Sequence, residues 1–548
     1  MDDVRIAAWK ERIAQLEDQP LPASVPAFLD EVARAQPDHV LLDFFETGEQ
    51  VRYGEFAQWS HRLAGQLWTL GLRPGMCAAV MLPNGSQWHI TWMALLRLGV
   101  RVLPVNPSYT PRELEYVLSD AQANAWFLPQ ERLDVAAGFA QWPQHLNRDW
   151  IMGVGAKLGE TSPWQSMLDA PMQFPTSQSF APLSLETVAN IQYTSGTTGF
   201  PKGCILTHGY WLNIAQAACL MHVTPMKRFF TAQPFFYMDP FWQLLMTVMS
   251  RGTLTVARKI SASKFLGWLV EQRIEWAQLP EIALKSADSV RGQAMALRQV
   301  FTFGWSGESR TGFEAHFAAV ASESFGMTEI GLGLAMPTGF PWAGRATSVG
   351  IPTLRREARI VGEDGQEVGP DTYGELQIRG SHMFKGYFNK PEATAEVFDG
   401  NWFRTGDAFM RDALGFYRIV GRFKDMIRRS SENIAAREVE AVVRGLPEVL
   451  DCAAVAVADP VRKEEVKIMI QLQPDVLAAG RPARELLPVE RVISHCQGEL
   501  APFKVPRYVQ FVEDFPRTSS NKIAKHQIAG AGVDGRLCAY DRVDQVWR

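Results

Sequence analysis

The chain has 548 residues, of which 47% are hydrophobic, and its formal net charge is −4 at neutral pH. This length exceeds one ordinary domain and allows a large buried core, so we expect at least two domains. The slightly acidic balance excludes the basic footprint that is typical of nucleic-acid-binding proteins, and we expect no nucleic-acid partner.

The cysteines and the N-terminal segment indicate the cellular compartment. Six cysteines are scattered without a CxxC pair or histidines at metal-ligand spacing, which favours buried thiols over disulfides or a zinc site. The N-terminal segment is charged and amphipathic and lacks the apolar core of a signal peptide. No later apolar run approaches membrane-spanning length. We therefore expect a cytoplasmic protein without an integral membrane segment.

The first part of the chain alternates short apolar strands with helical patterns. Between Val25 and Pro129 the predicted strands are HVLLDFF, CAAVMLP, RVLPVNP and AWFLP, each separated from the next by a helical pattern such as QWHITWMALLRLG. This alternation predicts an α/β fold with a parallel-rich sheet flanked by helices. From Gln130 to Glu186 the pattern loosens, and we expect connecting structure there.

The stretch from Tyr193 to Gly203, YTSGTTGFPKG, concentrates groups that bind phosphate. Its glycines allow backbone N–H groups to approach an anion, its hydroxyls donate further hydrogen bonds, and Lys202 adds a positive charge. It is not the usual P-loop, because Gly203 follows the lysine where Ser or Thr would be needed. Similar composition occurs in flexible linkers. The apolar VANIQ before the stretch and GCILTHGYWLNIAQAA after it instead predict a ligand loop between a strand and a strand–helix pair, with a nucleotide as ligand.

The second half of the chain predicts three further regions. A second α/β series runs from Lys227 to about Leu334, and shorter strands with turn signals then predict a smaller β-rich subdomain. From about Lys424 the pattern predicts a separate small α/β domain. We place the domain boundaries at 1–421 and 422–548.

Four later blocks carry further candidate ligands. In ESFGMTEIG, Phe325 offers a flat face for a base, Thr328 can hydrogen-bond a phosphate oxygen, and Glu329 supplies a carboxylate oxygen for Mg²⁺. Asp407, at the end of NWFRTGD, suits hydrogen bonding to ribose hydroxyls. The block GFYRIVGRFKD is basic, and PRTSSNKIAK presents Lys522 from a polar turn. Alone, each block also fits an ordinary turn or a solvated surface charge.

Taken together in this order, the five blocks resemble the adenylate-forming superfamily of acyl-CoA synthetases, nonribosomal peptide adenylation domains and firefly-type luciferases. The resemblance extends from about Val25 to Lys525. In that family a carboxylate attacks the α-phosphate of ATP, which gives an acyl-adenylate and pyrophosphate, and the acyl group then passes to an acceptor, usually the thiol of CoA. The resemblance implies ATP, Mg²⁺ and CoA as cofactors and a carboxylic acid as substrate. It is compatible with a homodimer as the oligomeric state.

The resemblance also implies roles for single residues. Lys522 would bridge the carboxylate and the α-phosphate, Thr328 would contact the α-phosphate, and Glu329 would bind Mg²⁺; with Lys202 these form the implied catalytic set. Lys424 corresponds to a hinge about which the C-terminal domain turns as a mobile cap. The residues implied to bind the nucleotide are Thr194, Ser195, Gly196, Thr197, Thr198, Gly199, Lys202, Phe325, Gly326, Thr328, Asp407 and Arg422.

One departure from the family pattern concerns the acceptor. The sequence RRSSENI has Ser430 and Ser431 where the family commonly has a glycine pair that lines the tunnel for the pantetheine arm of CoA. Two serine side chains could narrow that tunnel. CoA stays the expected acceptor, and amide synthesis with an amine acceptor is the alternative. A non-catalytic nucleotide-binding protein on the same fold is a second alternative, against which the intact charged residues argue.

The implied acyl pocket carries bulky side chains. Tyr237 occupies the position of the family's aromatic gate, and Trp305 lies where small residues usually border the acyl group, so we expect a short or compact acid. Asp239, Trp242 and Trp305 would form a cage for a cationic acid, and the pattern resembles the crotonobetaine/carnitine-CoA ligase branch. The alternative is that both tryptophans are core residues and that Asp239 caps the following helix.

Overall fold

The computed structural model of the chain describes residues 2–170, 182–194, 201–305, 307–337, 348–422, 426–429, 432–500, 502–517, 523–528 and 534–548. Contacts divide the chain into two compact units. Unit 1 comprises Met1–Thr194, Pro201–Ala358 and Ile378–Phe403. Among the described residues, unit 2 consists of Arg359–Gln377 and the described part of Arg404–Arg548.

Helices occur in both units. In the described part of the chain they are α1 (Asp2–Glu17), α2 (Val25–Ala35), α3 (Tyr53–Leu70), α4 (Ser86–Arg97), α5 (Pro111–Asp120), α6 (Pro163–Asp169), α7 (His208–Leu220), α8 (Asp239–Met249), α9 (Phe265–Glu271), α10 (Gly307–Phe317), α11 (Pro391–Glu396), α12 (Ala436–Arg444), α13 (Pro474–Leu477), α14 (Ala483–Leu486), α15 (Val489–Glu499) and α16 (Lys525–Ile528). The 3₁₀ helices of the described part are Gln130–Gly138, Arg148–Trp150 and Glu281–Val290.

The strands alternate with these helices through most of unit 1 and cluster in unit 2. In chain order they are β1 (Val40–Phe44), β2 (Glu49–Arg52), β3 (Cys77–Val80), β4 (Arg101–Pro104), β5 (Ala125–Pro129), β6 (Ile151–Val154), β7 (Val188–Thr194), β8 (Lys202–Thr207), β9 (Arg228–Thr231), β10 (Thr253–Val256), β11 (Trp276–Gln278), β12 (Gln299–Thr302), β13 (Val320–Met327), β14 (Gly331–Ala335), β15 (Ser348–Pro352), β16 (Glu357–Val361), β17 (Gly374–Arg379), β18 (Phe398–Asp399), β19 (Trp402–Arg411), β20 (Tyr417–Arg422), β21 (Met426–Arg429), β22 (Glu432–Ala435), β23 (Val449–Asp459), β24 (Lys463–Leu472), β25 (Tyr508–Phe511), β26 (Tyr540–Asp541) and β27 (Val546–Trp547).

Two sheets form the centre of unit 1. The smaller sheet has the strand order β6-β5-β3-β4-β7-β8, with parallel pairing up to β7 and an antiparallel β7–β8 hairpin at its edge. The unit 1 part of the larger sheet has the order β15-β14-β13-β12-β11-β9-β10-β1-β2, in which the strands from β13 to β1 pair in parallel. Strands such as β3 and β10 are buried along their whole length, as expected for parallel strands covered on both faces.

Hydroxyl caps fix where two helices of unit 1 begin. Thr110 accepts a hydrogen bond from the backbone N–H of Glu113, and the Glu113 carboxylate accepts one from the Thr110 N–H. This capping box starts α5 because it satisfies N–H groups that have no partner inside the helix. Thr207 caps α7 through the N–H of Tyr210, so that α7 follows β8 directly.

Unit 2 contains most of β16, β17 and β19 and all of β20, which lie in the order β16-β17-β19-β20. It also contains a seven-stranded sheet with the order β22-β21-β24-β25-β26-β27, in which β23 pairs with β24. One buried apolar cluster joins this sheet to α12 and α15 through residues such as Val443, Ile468 and Val492.

The predicted α/β class is confirmed, and so are the strands and helices predicted between Val25 and Pro129. The expectation of mere connecting structure from Gln130 to Glu186 is wrong, because this stretch contains α6 and β6, the edge strand of the smaller sheet. The strand β6 (IMGV) contains a glycine and is followed by GAKLGETS and not by a long helical pattern, so strand–helix alternation does not mark it, and β5 supplies its hydrogen-bonding partner. The domain boundary placed after Gly421 stays a prediction. The two compact units are instead separated between Ala358 and Arg359, between Gln377 and Ile378, and between Phe403 and Arg404. No helix that the structure describes is both long and apolar enough to cross a membrane.

Candidate active site

The glycine- and hydroxyl-rich loop is carried by the β7–β8 hairpin. Thr194, the last residue of β7, pairs directly with Lys202, the first residue of β8. The strand before the loop and the strand–helix pair after it are therefore as predicted. Gly203 is required in the hairpin because a Cβ atom there would lie 2.6 Å from Cγ2 of Ile191. The predicted phosphate-binding residues inside the loop lie outside the described residues: Ser195, Gly196, Thr197, Thr198 and Gly199.

The tyrosine that opens the loop motif has a structural partner. The Tyr193 hydroxyl donates to Oδ2 of Asp120 at 2.6 Å, and the ammonium of Lys390 donates to Oδ1 of the same carboxylate at 2.7 Å. Burial raises the pKa of Tyr193 well above its ordinary value, and the neighbouring Asp120 charge raises it further. Tyr193 therefore anchors β7 to the end of α5 and stays a neutral donor.

The second block lies at the tip of the β13–β14 hairpin. Phe325 is half-buried on β13, where the pairing shifts register at Phe325 and Gly326. A Cβ atom at Gly326 would lie 2.6 Å from the carbonyl oxygen of Gly331, so only glycine fits this bulge. Thr328 is half-buried and its hydroxyl contacts Sδ of Met238 at 3.5 Å. Glu329 is buried, with 7% of its surface exposed.

One tyrosine joins the two blocks. The Tyr387 hydroxyl donates to Oε1 of Glu329 at 2.8 Å, and the Lys202 ammonium lies 4.9 Å from the centroid of the Tyr387 ring. Lys202 and Glu329, which are 127 positions apart in the chain, therefore contact the ring and the hydroxyl of the same side chain. Sequence reasoning missed Tyr387, because it stands in KGYFNK, a stretch without a phosphate-binding composition.

A buried ion pair supports the backbone after β12. Glu323 and Arg310 form a salt bridge of 2.7 Å, and their side chains are 2% and 3% exposed. The Glu323 carboxylate also accepts hydrogen bonds from the Thr302 hydroxyl and the backbone N–H of Gly304. These contacts fix the start of the FGWSGES segment. Sequence reasoning missed both charged residues.

The two predicted ribose ligands lie in unit 2. Asp407 on β19 pairs directly with Arg422 on β20, so the structure places them at opposite positions of neighbouring strands. The Asp407 side chain is buried, and the side chain of Arg422 lies outside the described part. Glu375 holds the part of β19 just before Asp407, because its carboxylate accepts from the backbone N–H of Gly406 and from Arg404.

Asp239 and Trp242 are neighbours on the first turn of α8. Asp239 is the first residue of this helix, and no side chain caps the helix start, so the predicted capping role of Asp239 is absent. Instead its Oδ1 accepts a hydrogen bond from Nε1 of Trp242 at 3.1 Å. Burial raises the pKa of Asp239, and hydrogen bonds from Trp242 and Gln278 oppose that rise.

The predicted aromatic residues of the acyl pocket differ in exposure. Trp242 is 3% exposed and packs against Trp276 and Phe301, and Trp305 is 5% exposed and donates its Nε1 hydrogen to the carbonyl of Leu279. Both rings are therefore held in place by the core. Tyr237 is 37% exposed, which leaves its ring available to a ligand.

A cavity of about 680 Å³ opens elsewhere in unit 1, at the carboxyl ends of β1, β3, β6 and β10. Its lining includes Asn84, Glu160 and Arg258, and it contains none of the site residues predicted among the described part of the chain. The candidate site is therefore defined by side-chain chemistry and not by the size of this cavity.

The Glu329 carboxylate fits a Mg²⁺ ion that is bound together with a nucleotide. Among the described residues, no group of three or more His, Cys, Asp or Glu side chains gathers to hold a metal ion alone. Mg²⁺ is commonly bound by one or two carboxylates together with substrate phosphates. Glu329, a buried carboxylate oriented by Tyr387, fits that mode of binding. Lys424 and Lys522 lie outside the described residues.

The fold and these charged side chains define the class of protein. A family model described as AMP-binding enzyme matches residues 29–388, and one described as AMP-binding enzyme C-terminal domain matches residues 438–522. The chain belongs to the AMP-binding enzyme family. The resemblance to adenylate-forming enzymes that the motifs predict is thereby confirmed.

Individual relatives are similar over nearly the whole chain. Crotonobetaine/carnitine–CoA ligase of Salmonella arizonae is 28% identical over 528 residues, which cover 91% of this chain and 97% of that protein. Feruloyl-CoA synthase of an Amycolatopsis species is 29% identical over 491 residues, covering 88% and 94%. The o-succinylbenzoate CoA synthetase of Bacillus subtilis, solved with its acyl-adenylate intermediate, has a TM-score of 0.79 and 22% identity and covers 93% of this chain and 99% of that one, which shows a common fold.

Proposed function

We propose that the protein is an AMP-forming acyl-CoA ligase. It uses ATP and Mg²⁺ to convert a carboxylic acid to an acyl-adenylate and then transfers the acyl group to the thiol of CoA. The observation that carries this proposal is that Lys202 and Glu329 both contact Tyr387. Lys202 begins β8, at the base of the glycine- and hydroxyl-rich loop. This arrangement supports the proposal, because a triphosphate bound with Mg²⁺ would need both a cation and a carboxylate ligand for the metal. The similarity to several CoA ligases supports the acceptor.

In the first step a carboxylate oxygen forms a bond to the α-phosphorus of ATP, and the bond from that phosphorus to the bridging oxygen breaks. Pyrophosphate leaves with the electron pair of that bond. Two anions must approach one another, so the catalytic task is positioning and charge neutralisation. Lys202 would neutralise the β- and γ-phosphates, Thr328 would hydrogen-bond the α-phosphate, and Glu329 would hold Mg²⁺. When bound, Mg²⁺ supplies further neutralisation of the phosphate charge.

The remaining nucleotide contacts are proposed from the motifs. Phe325 would stack on adenine, and Asp407 with Arg422 would hold the ribose, consistent with their opposite positions on β19 and β20. We further propose that the segment 422–548 moves as a cap about Lys424 between the two half-reactions, as hinges in two-step enzymes do. In the second step the CoA thiol attacks the acyl carbon and AMP leaves.

The substrate is proposed to be a short or compact acid. The nearly buried rings of Trp242 and Trp305 make them walls rather than open faces for a cation. Asp239 supports a cationic acid as a second candidate, because it offers a carboxylate beside the Trp242 side chain. One relative is a crotonobetaine/carnitine–CoA ligase, which supports that candidate.

A panel of carboxylic acids, read by pyrophosphate release, tests the proposed activity. The panel would contain neutral short acids, aromatic acids and betaines, each with ATP, Mg²⁺ and either CoA, candidate amines or no acceptor. We expect one class of acid to give pyrophosphate and, with CoA, a thioester. Product formation with an amine but not with CoA would favour amide synthesis. Failure of every acid, together with failure to bind ATP, would contradict the proposal.

A further inference from the structure

We propose that Tyr387 is a positioning residue that couples the Mg²⁺ ligand Glu329 to the phosphate-binding Lys202. This inference rests on the proposed function, because it gives Glu329 and Lys202 the roles described above. It assigns separate tasks to the two ends of the tyrosine: the hydroxyl would act on the metal site and the ring on the lysine. The support comes from the backbone, the hydroxyl and the ring of Tyr387.

The backbone around Tyr387 bridges the two blocks. The segment Phe384–Phe388 runs along β8: the N–H of Lys385 donates to Ile205, and the N–H of Phe388 donates to Gly203. At its other end the N–H of Phe384 donates to the carbonyl oxygen of Glu329. The segment is therefore hydrogen-bonded both to the strand that Lys202 begins and to Glu329 itself. A displacement of β8 or of Glu329 would therefore change the position of Tyr387.

The hydroxyl of Tyr387 orients the Glu329 carboxylate. Its hydrogen bond to Oε1 is 2.8 Å long, and the two residues are 8% and 7% exposed, so the contact is shielded from water. A tyrosine hydroxyl is protonated at neutral pH, so it donates this hydrogen bond. A donor to an ionised carboxylate makes a strong, directional bond. It limits the rotation of the carboxylate.

The ring of Tyr387 supports the Lys202 ammonium. The ammonium lies over the ring at 4.9 Å from its centroid, within the range of a cation–π contact. The ring is itself fixed by an edge contact with Phe384, whose centroid is 5.1 Å away. A lysine side chain has many rotamers, and a ring beneath its ammonium reduces the number that it samples. The ring would therefore hold the ammonium in place before the nucleotide arrives.

Two variants separate these tasks. Tyr387→Phe keeps the ring and removes the hydroxyl, whereas Tyr387→Leu removes both. ATP binding would be measured by calorimetry on the full chain, once in EDTA and once with saturating Mg²⁺. For Tyr387→Phe we expect metal-free ATP binding within about twofold of wild type and a loss of about tenfold in the gain in affinity that Mg²⁺ confers, from the lost charged hydrogen bond. For Tyr387→Leu we expect a further loss of about threefold in metal-free binding.

A double variant tests the coupling to Lys202. If the ring acts through the lysine, Tyr387→Leu will not weaken metal-free ATP binding further in a Lys202→Ala background. The matched control is Tyr53→Phe, which removes another buried tyrosine hydroxyl, one that donates to the carbonyl of Gly252 at 2.9 Å. This control should leave both ATP affinities unchanged.

The outcomes are distinguishable. Equal losses with and without Mg²⁺ in Tyr387→Phe, or no loss at all, would overturn the role of the hydroxyl. An additive effect in the double variant would overturn the role of the ring. If Tyr387→Leu fails to fold, Tyr387→Phe alone still decides the metal-dependent part. Wild-type protein that binds no ATP would instead count against the proposed function.

Discussion

Charged residues in this chain have two different roles. Arg310 and Glu323 satisfy one another inside the fold, where each would be costly alone. Lys202 and Glu329 instead contact the same neutral tyrosine, Tyr387. We propose that their charges act on the nucleotide and its Mg²⁺. Lys522 is proposed from its motif to act on ligands as well, and its role can be tested directly.

Replacing Lys522 with alanine should separate the two half-reactions. The proposed role of the ammonium is to offset the repulsion between the carboxylate and the α-phosphate, which exists only during adenylation. We expect Lys522→Ala to lower carboxylate-dependent pyrophosphate exchange by at least about a hundredfold, typical of a lost electrostatic contact to the transition state. Transfer from a supplied acyl-adenylate to CoA should stay within a few fold of wild type. Equal losses in both assays would rule out this role, and Lys463→Ala, at an exposed position of the C-terminal segment, provides a lysine control.

At the scale of elements, short contacts connect helices and strands that are distant in sequence. Asp120, the last residue of α5, receives hydrogen bonds from Tyr193 on β7 and from Lys390, which immediately precedes α11. Its carboxylate therefore ties three segments together beneath the β7–β8 hairpin. The hairpin carries the loop that we propose binds the nucleotide, so this contact supports both the fold and the proposed site.

Removal of the Asp120 carboxylate should loosen this junction. Asp120→Ala leaves a buried tyrosine hydroxyl without its acceptor and a lysine without its counterion. We expect a loss of about 2–3 kcal/mol in the free energy of unfolding, the size of lost hydrogen bonds to a charged group. Urea unfolding measures it, with Asp134→Ala at an exposed position as the control. A change no larger than that of the control would show that the junction contributes nothing.

The extent of sequence-based prediction also differs between elements. The parallel strands before Pro129 are short apolar runs that alternate with long helical patterns, so the alternation is visible without any contact information. The strand β6 contains a glycine and is not followed by a long helical pattern, and its identity comes from pairing with β5. Phosphate-binding glycines and hydroxyls mark the loop at Thr194, whereas Tyr387 acts through two contacts that form only after folding. For Asp239, helix capping is the alternative to a role in the acyl pocket, because aspartate often caps helices; in the structure its carboxylate instead accepts a hydrogen bond from Trp242.

At the scale of the whole molecule, buried histidines link stability to pH. Burial lowers the pKa of His89, His208 and His222 to about 4. These side chains are neutral in the folded protein at pH 6, whereas an unfolded histidine takes up a proton near pH 6.5. Asp30 adds to this dependence at lower pH. Although its burial opposes ionisation, hydrogen bonds from His61 and Arg97 lower the pKa of Asp30 well below its ordinary value.

The stability should therefore fall as the pH is lowered from 6.5 to 4. In this interval the unfolded chain binds more protons than the folded chain, and each buried histidine contributes up to about 1.4 kcal/mol per pH unit. Below about pH 4 the Asp30 carboxylate adds a further loss, because it protonates more readily in the unfolded chain. The unfolding temperature from calorimetry between pH 8 and pH 4 measures the effect. His145→Gln, at an exposed position, should leave the curve unchanged, and a flat curve for wild type would refute the linkage.

The route of the oxygen atoms tests the proposed chemistry most directly. The acid that the panel identifies would be labelled with ¹⁸O in both carboxylate oxygens and incubated with unlabelled ATP, Mg²⁺ and CoA, and the products would be analysed by mass spectrometry. Attack of the carboxylate on the α-phosphorus predicts one ¹⁸O atom in each AMP and none in pyrophosphate. AMP without label, or label that appears in inorganic phosphate together with ADP, would contradict activation through an acyl-adenylate.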